Sequence, residues 1–192
     1  MIEVKNLTLA YGAKTVISGL SFEIADGELV LLEGPNGSGK STLLRALAKE
    51  DPTRVMLPTN VPKVKGFTLM DFARTGMFTE VDRLGRGGSG VDAALEQALG
   101  MIGILDLKER DISSLSDGEF RKGCIAAAIS RRGASALLLD EPTVFLDVPG
   151  RIAVFETLAK IARERNIPVL FSSHDIYDAK RFCDKVISLN NS

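Results

Sequence analysis

Apolar positions along this chain fall into three patterns, and each predicts a different kind of element. Short unbroken runs occur at Leu29-Val30-Leu31-Leu32, at Ala136-Leu137-Leu138-Leu139 and at Ile167-Pro168-Val169-Leu170-Phe171. A strand covered on both faces has no polar side to alternate with, so these runs read as inner strands of a parallel sheet. Arg54-Val55-Met56-Leu57, stopped by Pro58, and Lys185 to Leu189 read as shorter strands of the same kind. A second pattern, alternation, marks Ile2 to Leu9 and a further β-rich stretch from Val16 to Ile24, with Ala10-Tyr11-Gly12 between them. It predicts an antiparallel β layer. The third pattern has helical spacing: Leu43 to Leu47 ending near Lys49-Asp51, Thr68 to Phe72 running toward Gly76, Val91 to Ile102, an Ala-rich stretch from Arg121 to Ser130, and Ile152 to Ile161 after a start at Pro149.

Strands thus alternate with helices, which is the order of an α/β domain. Breakers separate them. Asp26-Gly27 is a turn, Thr59 to Lys65 is a loop, and Gly85-Arg86-Gly87-Gly88-Ser89-Gly90 reads as a flexible linker. That last segment is rich in glycine without being a phosphate loop, since no strand precedes it and no Lys-Ser/Thr follows. At 192 residues the chain is long enough for one sizeable core. A formal charge of −1 gives no drive toward nucleic acid, which is not expected as a partner. Arg131-Arg132 reads as a solvated helix end. Cys124 and Cys183 fit no paired spacing and read as small fillers in a reducing cytosol. The chain opens in a strand pattern and no apolar run approaches membrane-spanning length, so any membrane part belongs to another polypeptide.

The chemistry begins after the run at Leu29. Gly34-Pro35-Asn36-Gly37-Ser38-Gly39-Lys40-Ser41-Thr42 fits G-x-x-x-x-G-K-[ST] between a strand and a helix. The glycines let backbone N–H groups approach phosphate oxygens, and the helix start presents unpaired N–H groups to an anion. Lys40 is placed to reach the β- and γ-phosphates and the Ser41 hydroxyl to ligate Mg²⁺. The sequence therefore implies ATP and Mg²⁺ as ligands.

Four further sites are weaker one by one. Leu115-Ser116-Asp117-Gly118-Glu119 feeds a helix start, which is either a second anion site or an ordinary N-cap with an acidic first turn. Asp140-Glu141 closes an apolar strand at the end where α/β sheets bind ligands. There Asp140 can hold Mg²⁺ and Glu141 can take a proton from the attacking water. His174, the single histidine, follows another strand and shares that crevice. Tyr11 can stack on an adenine or simply cover its own hairpin.

Taken in order, the phosphate loop, LSDGE, LLLDEP and an isolated His after a strand resemble the nucleotide-binding subunit of ATP-binding cassette (ABC) transporters. The resemblance covers essentially the whole chain, and LSDGE just upstream of LLLDEP is its specific part. It implies a P-loop NTPase fold with a mainly parallel core sheet, an antiparallel β layer, and a helical signature subdomain over about 60–132, all in one domain. It implies an ATPase that powers transport, with Tyr11 on adenine, Gly34 to Thr42 as Walker A loop, Ser116 and Gly118 in the signature loop and Asp147 as D-loop acid. Asp140 is then the Walker B carboxylate, Glu141 the catalytic base and His174 the γ-phosphate sensor, acting with Lys40. Two copies would pack head to tail around ATP and dock transmembrane permease subunits at the cytoplasmic face of the membrane.

Three departures stand against that pattern. The strand end at Leu57-Pro58 is followed by Thr59-Asn60 where the family places a Gln, so the Thr59 hydroxyl, or the shorter Asn60 amide in its place, becomes the candidate magnesium ligand through water. The segment from Lys40 to Thr59 is short, which predicts a trimmed β layer. Asp117 stands where the signature has glycine. Within the family the motifs look most like importers of iron-siderophore, haem or cobalamin type. The competing readings are a soluble nucleotide-gated clamp, a small-molecule kinase and a catalytically weak binding module. Exposed apolar residues between Thr59 and Phe72 would favour transport, because a membrane subunit needs a groove to press into.

Overall fold

The apolar runs assemble as five parallel strands in the order β4-β5-β6-β3-β7, where β3 is Leu29–Glu33, β4 Arg54–Leu57, β5 Ala136–Leu139, β6 Val169–Ser172 and β7 Lys185–Ser188. This computed structural model describes residues 1–12, 14–75 and 89–189. Side chains alternate across the sheet, and both faces are covered. Val30, Leu32, Leu138, Leu170 and Ile187 face one core, shared with Leu43, Leu44 and Leu47 of helix α1 (Lys40–Glu50) and with the antiparallel pair β1 (Ile2–Tyr11) and β2 (Lys14–Ile24). Leu29, Leu31, Leu57, Leu137, Leu139 and Phe171 face the other core. Helices α2 (Leu69–Arg74), α3 (Ser89–Ile102), α4 (Asp117–Ile129) and α5 (Val148–Arg165) cover that side. Continuous apolar runs are what a doubly covered sheet requires.

Most predicted elements form within a residue or two of where the pattern puts them, and the differences have local causes. The two-stranded layer runs further into its turn than expected, with Tyr11 paired to Lys14. Among the described residues this antiparallel sheet has two strands, as the short segment after α1 implied. Helix α4 begins four residues before Arg121. Ser116 accepts the Glu119 N–H while the Glu119 carboxylate accepts the Ser116 N–H, a reciprocal cap that starts the helix at Asp117. Helix α3 takes in Ser89 and Gly90, which the composition had assigned to a linker; the rest of that linker lies outside the described residues.

Helices α2, α3 and α4 hold one another directly. Phe72 and Phe120 pack with ring centroids 5.2 Å apart, and the Arg74 guanidinium donates two bonds to Asp92, at 2.9 and 3.0 Å. Arg131 is not a solvated helix end: it is half-buried and donates to the Ala73 carbonyl at 3.1 Å, tying the exit of α4 to α2. Its neighbour Arg132 is exposed and meets Gln97. A last short helix, α6 (Ile176–Lys180), leads into β7. Both cysteines are free, Cys124 buried and Cys183 partly so, and burial pushes each thiol up to about 12. Among the described residues no helix is long and apolar enough to cross a membrane.

Phe155 of α5 locks that helix to the sheet. It is fully buried, 5.4 Å from the Phe171 ring and 5.8 Å from Phe182. Phe155→Ala is expected to destabilise the chain by about 3–5 kcal/mol, read as a lowered urea midpoint with little change in slope.

Candidate functional site

Polar groups gather where β3, β6 and β5, three adjacent strands, run out at their carboxyl ends. After β3 the chain turns through 34–39 and enters α1 at Lys40. Gly39 is the N-cap with φ +96°, and no side chain caps the helix, so its first-turn N–H groups face outward for an anion. A Cβ on Gly39 would lie 2.7 Å from Val16 Cγ1 on β2. At Gly34 it would meet Ser38 Oγ at 2.6 Å and the Leu189 carbonyl at 2.7 Å. Close packing, as well as backbone conformation, thus demands glycine here. The mostly buried Lys40 ammonium arches across the loop and donates to the Gly34 carbonyl at 2.7 Å and the Pro35 carbonyl at 3.2 Å. Ser41 and Thr42 lie in the first turn of α1, while Pro35, Asn36 and Gly37 are exposed at the loop's crest. Ser38 Oγ is buried with no partner among the described residues.

The acidic pair follows β5. Asp140 is buried, and one of its oxygens accepts the Ser172 hydroxyl at 2.8 Å. Ser172, at the end of β6, also accepts the Glu141 N–H at 3.0 Å, so one buried hydroxyl aligns both acids. Glu141 has φ +51°, a left-handed conformation unusual for this side chain. Its carboxylate accepts the His174 N–H at 3.1 Å and stands 3.5 Å from His174 Nε2. Burial pushes the Glu141 carboxyl above the usual carboxylate range, with the His174 side chain and its N–H pulling the other way. His174 itself is 62% exposed on the turn after β6.

Ser116, Gly118 and Asp147 form a separate group. Ser116 caps α4, and Asp147 caps α5 by accepting the Gly150 N–H at 3.0 Å. At Gly118 a Cβ would sit 3.0 Å from the Phe145 carbonyl, so the two loops touch. Phe145 projects outward, 66% exposed. Asp117, the charge at a signature glycine position, meets Lys63 at 2.7 Å. Lys63 also donates to the Leu115 carbonyl and lies over the Phe120 ring. Thr59 sits on the loop leaving β4 and lines a cleft of about 360 Å³ with Asn60, Lys63, Phe120 and Phe145. The backbone of Tyr11 closes β1, and its side chain lies outside the described residues.

Two residues escaped the sequence reading. Arg121, 3% exposed on α4, donates to the carbonyls of Pro58, Thr59, Asp140, Glu141 and Pro142. Its only sequence signal was a charge on a helix otherwise rich in alanine. Lys63 was hidden for a similar reason, since its partner Asp117 is 54 positions away.

This geometry can cradle a polyphosphate on the 34–42 loop, set hard oxygen donors beside it at Ser41 and Asp140, and present a carboxylate with raised proton affinity. A family model described as ABC transporter matches residues 17–144, more than half of the chain. The chain belongs to the ABC transporter ATP-binding family. As such it binds ATP, and it is an ATPase of the kind whose hydrolysis is coupled to transport. It is 34% identical to the zinc import ATP-binding protein ZnuC of Roseobacter denitrificans, over 99% of this chain and 75% of that protein. It is 30% identical to the ferric enterobactin transport ATP-binding protein FepC of Escherichia coli, over 96% of this chain and 76% of that one. Among solved structures, one described as an inward-facing metal-chelate type ABC transporter superposes with a TM-score of 0.84 at 28% identity. The match covers 98% of this chain and 79% of that one. The P-loop ABC ATPase fold, with its parallel sheet and antiparallel pair, is thereby shown.

Gly39→Ala tests the loop. A left-handed alanine costs about 1–2 kcal/mol, before any shift of Val16 is counted. ATP affinity is expected to fall about tenfold or more, measured by nucleotide titration, with the urea midpoint changing far less than for Phe155→Ala.

Proposed function

We propose that this ABC subunit powers import of a metal in chelated form, of the iron-siderophore, haem or cobalamin type, by closing on a second copy of itself around ATP. The observation that carries the mechanism is the Glu141 carboxylate, partly buried beside the phosphate loop and turned onto both the N–H and the ring of His174. A carboxylate whose proton affinity is raised by burial is suited to accept a proton from water at neutral pH. The His174 ring, 62% exposed beside that carboxylate, is open to a γ-phosphate.

In this reading Gly34 to Thr42 wraps the phosphates of ATP, Lys40 neutralises the β- and γ-groups, and Tyr11 lies against adenine. Ser41 and Asp140, with Thr59 through water, supply hard oxygen donors of the kind Mg²⁺ takes. When bound, the ion would neutralise charge on the phosphates. Ser116, Gly118 and Asp147 complete the site on the partner copy, where the helix start at Ser116 adds positive dipole to ATP. The helical region over about 60–132 then forms the docking side. Val64 and Phe67 are both exposed there, which supports a transmembrane permease subunit as the partner and peripheral placement on the cytoplasmic face. The zinc and ferric enterobactin names of the two relatives support a metal as cargo.

The test is Mg·ATP hydrolysis against protein concentration, with Glu141→Gln alongside. Specific activity is expected to rise with concentration. Glu141→Gln is expected to lose at least 10²-fold in rate, the usual worth of a positioned base, while still binding ATP and accumulating as a dimer in size-exclusion chromatography. A variant that stays monomeric at saturating ATP with turnover intact would overturn the shared-site reading.

A further inference from the structure

Strands β4 and β5 are parallel neighbours, and their last rung is the Asp140 N–H donating to the Leu57 carbonyl at 2.8 Å. Beyond it the two chains separate, so the sheet no longer pairs the carbonyls of Pro58 and Thr59 on one side or of Asp140, Glu141 and Pro142 on the other. All five converge on Arg121. Nη1 donates to Pro58 at 2.8 Å and Thr59 at 3.1 Å, Nη2 to Asp140 at 2.7 Å and Glu141 at 2.9 Å, and Nε to Pro142 at 3.3 Å. A guanidinium has five N–H donors, and here each has its own acceptor. Among the described residues no carboxylate lies within ion-pair distance of it, so this buried cation is held by oriented backbone dipoles.

The consequence falls on Glu141. Its N–H is fixed by Ser172 Oγ and its carbonyl by Arg121 Nη2, one on each side of a residue at φ +51°. An unfavourable backbone conformation persists only where its surroundings over-determine it. We infer that Arg121 is a positioning residue: it clamps the 140–142 turn and the loop leaving β4 into one piece, and so aims the Glu141 carboxylate at His174. The inference rests on Glu141 being the base of the proposed reaction, but the clamp itself is a property of the backbone. It also makes Pro58-Thr59 and the catalytic turn move together, joined through the helix that Ser116 opens.

Lysine cannot replace this fork, because a compact ammonium has three donors and no planar spread. Arg121→Lys keeps the charge and the fold, and Arg121→Met keeps the bulk alone. The experiment measures ATP affinity, kcat and amide hydrogen exchange for the full chain with Mg·ATP, with thermal melts to confirm that each variant is folded. For Arg121→Lys, ATP Kd is expected to stay within twofold and kcat to fall at least tenfold. Exchange should rise together in 57–61 and 139–147 and stay unchanged in 34–42, with Arg121→Met moving the same segments further. The clamp is overturned if 139–147 keeps its protection in Arg121→Lys, or if exchange rises evenly across the whole sheet. The positioning role is overturned if kcat stays within twofold, or if Kd weakens as much as kcat falls. If the paired exchange appears while the wild-type chain hydrolyses no ATP, the clamp stands and the reading of Glu141 as base fails.

Discussion

A parallel sheet buried on both faces leaves a chain very little room for chemistry. Every side chain along β3, β5 and β6 up to the last residue or two is taken by one core or the other. Polar groups can therefore appear only where the strands end, and because the strands are parallel they all end on the same side. Glu33 and the phosphate loop, Asp140-Glu141 and Ser172-Ser173-His174 are brought together by this single constraint. Ser172 shows how tight it is: a fully buried hydroxyl at the end of β6 serves both acids at the end of β5.

The second layer of organisation is how loops from distant parts of the chain are joined at that edge. Backbone, more than side chains, supplies the joints. The Lys40 ammonium rests on carbonyls of its own loop, Arg121 gathers carbonyls from two strand exits, and Ser116 and Asp147 cap helices through backbone N–H groups. Carboxylates are thereby left available. Asp140 is held by one hydroxyl, and Glu141 by one N–H and a nearby imidazole.

How much of this could be read in advance follows from the range of the interactions. The strands, α1 and the 34–42 loop were legible because burial on two faces and the phosphate-loop spacing are local patterns. The α/β order follows from them, while the family resemblance was carried by LSDGE lying just upstream of LLLDEP. The start of α4 was legible as an N-cap with an acidic first turn at Ser116-Asp117-Gly118-Glu119, although the helical spacing itself begins only at Arg121. Arg131 looked like a solvated charge because its acceptor, the Ala73 carbonyl, is 58 positions away. Arg121 and Lys63 were invisible for the same reason: a side chain that serves backbone groups across the fold leaves no spacing to recognise. The antiparallel layer was read correctly as short, since the missing length lies plainly between α1 and β4.

The two cysteines, described above only as fillers, give the molecule an internal clock. Burial pushes each thiol up to about 12, which disfavours the reactive thiolate. Cys124 lies one turn beyond Arg121 on α4, the helix that joins the strand exits, and Cys183 sits just before β7, an edge strand of the sheet. The fully buried Cys124 can thus meet a thiol reagent only after its edge has opened, whereas the partly exposed Cys183 can be reached without opening. The rate of labelling at Cys124 reports how often that edge breathes, with Cys183 as an internal reference and no added probe.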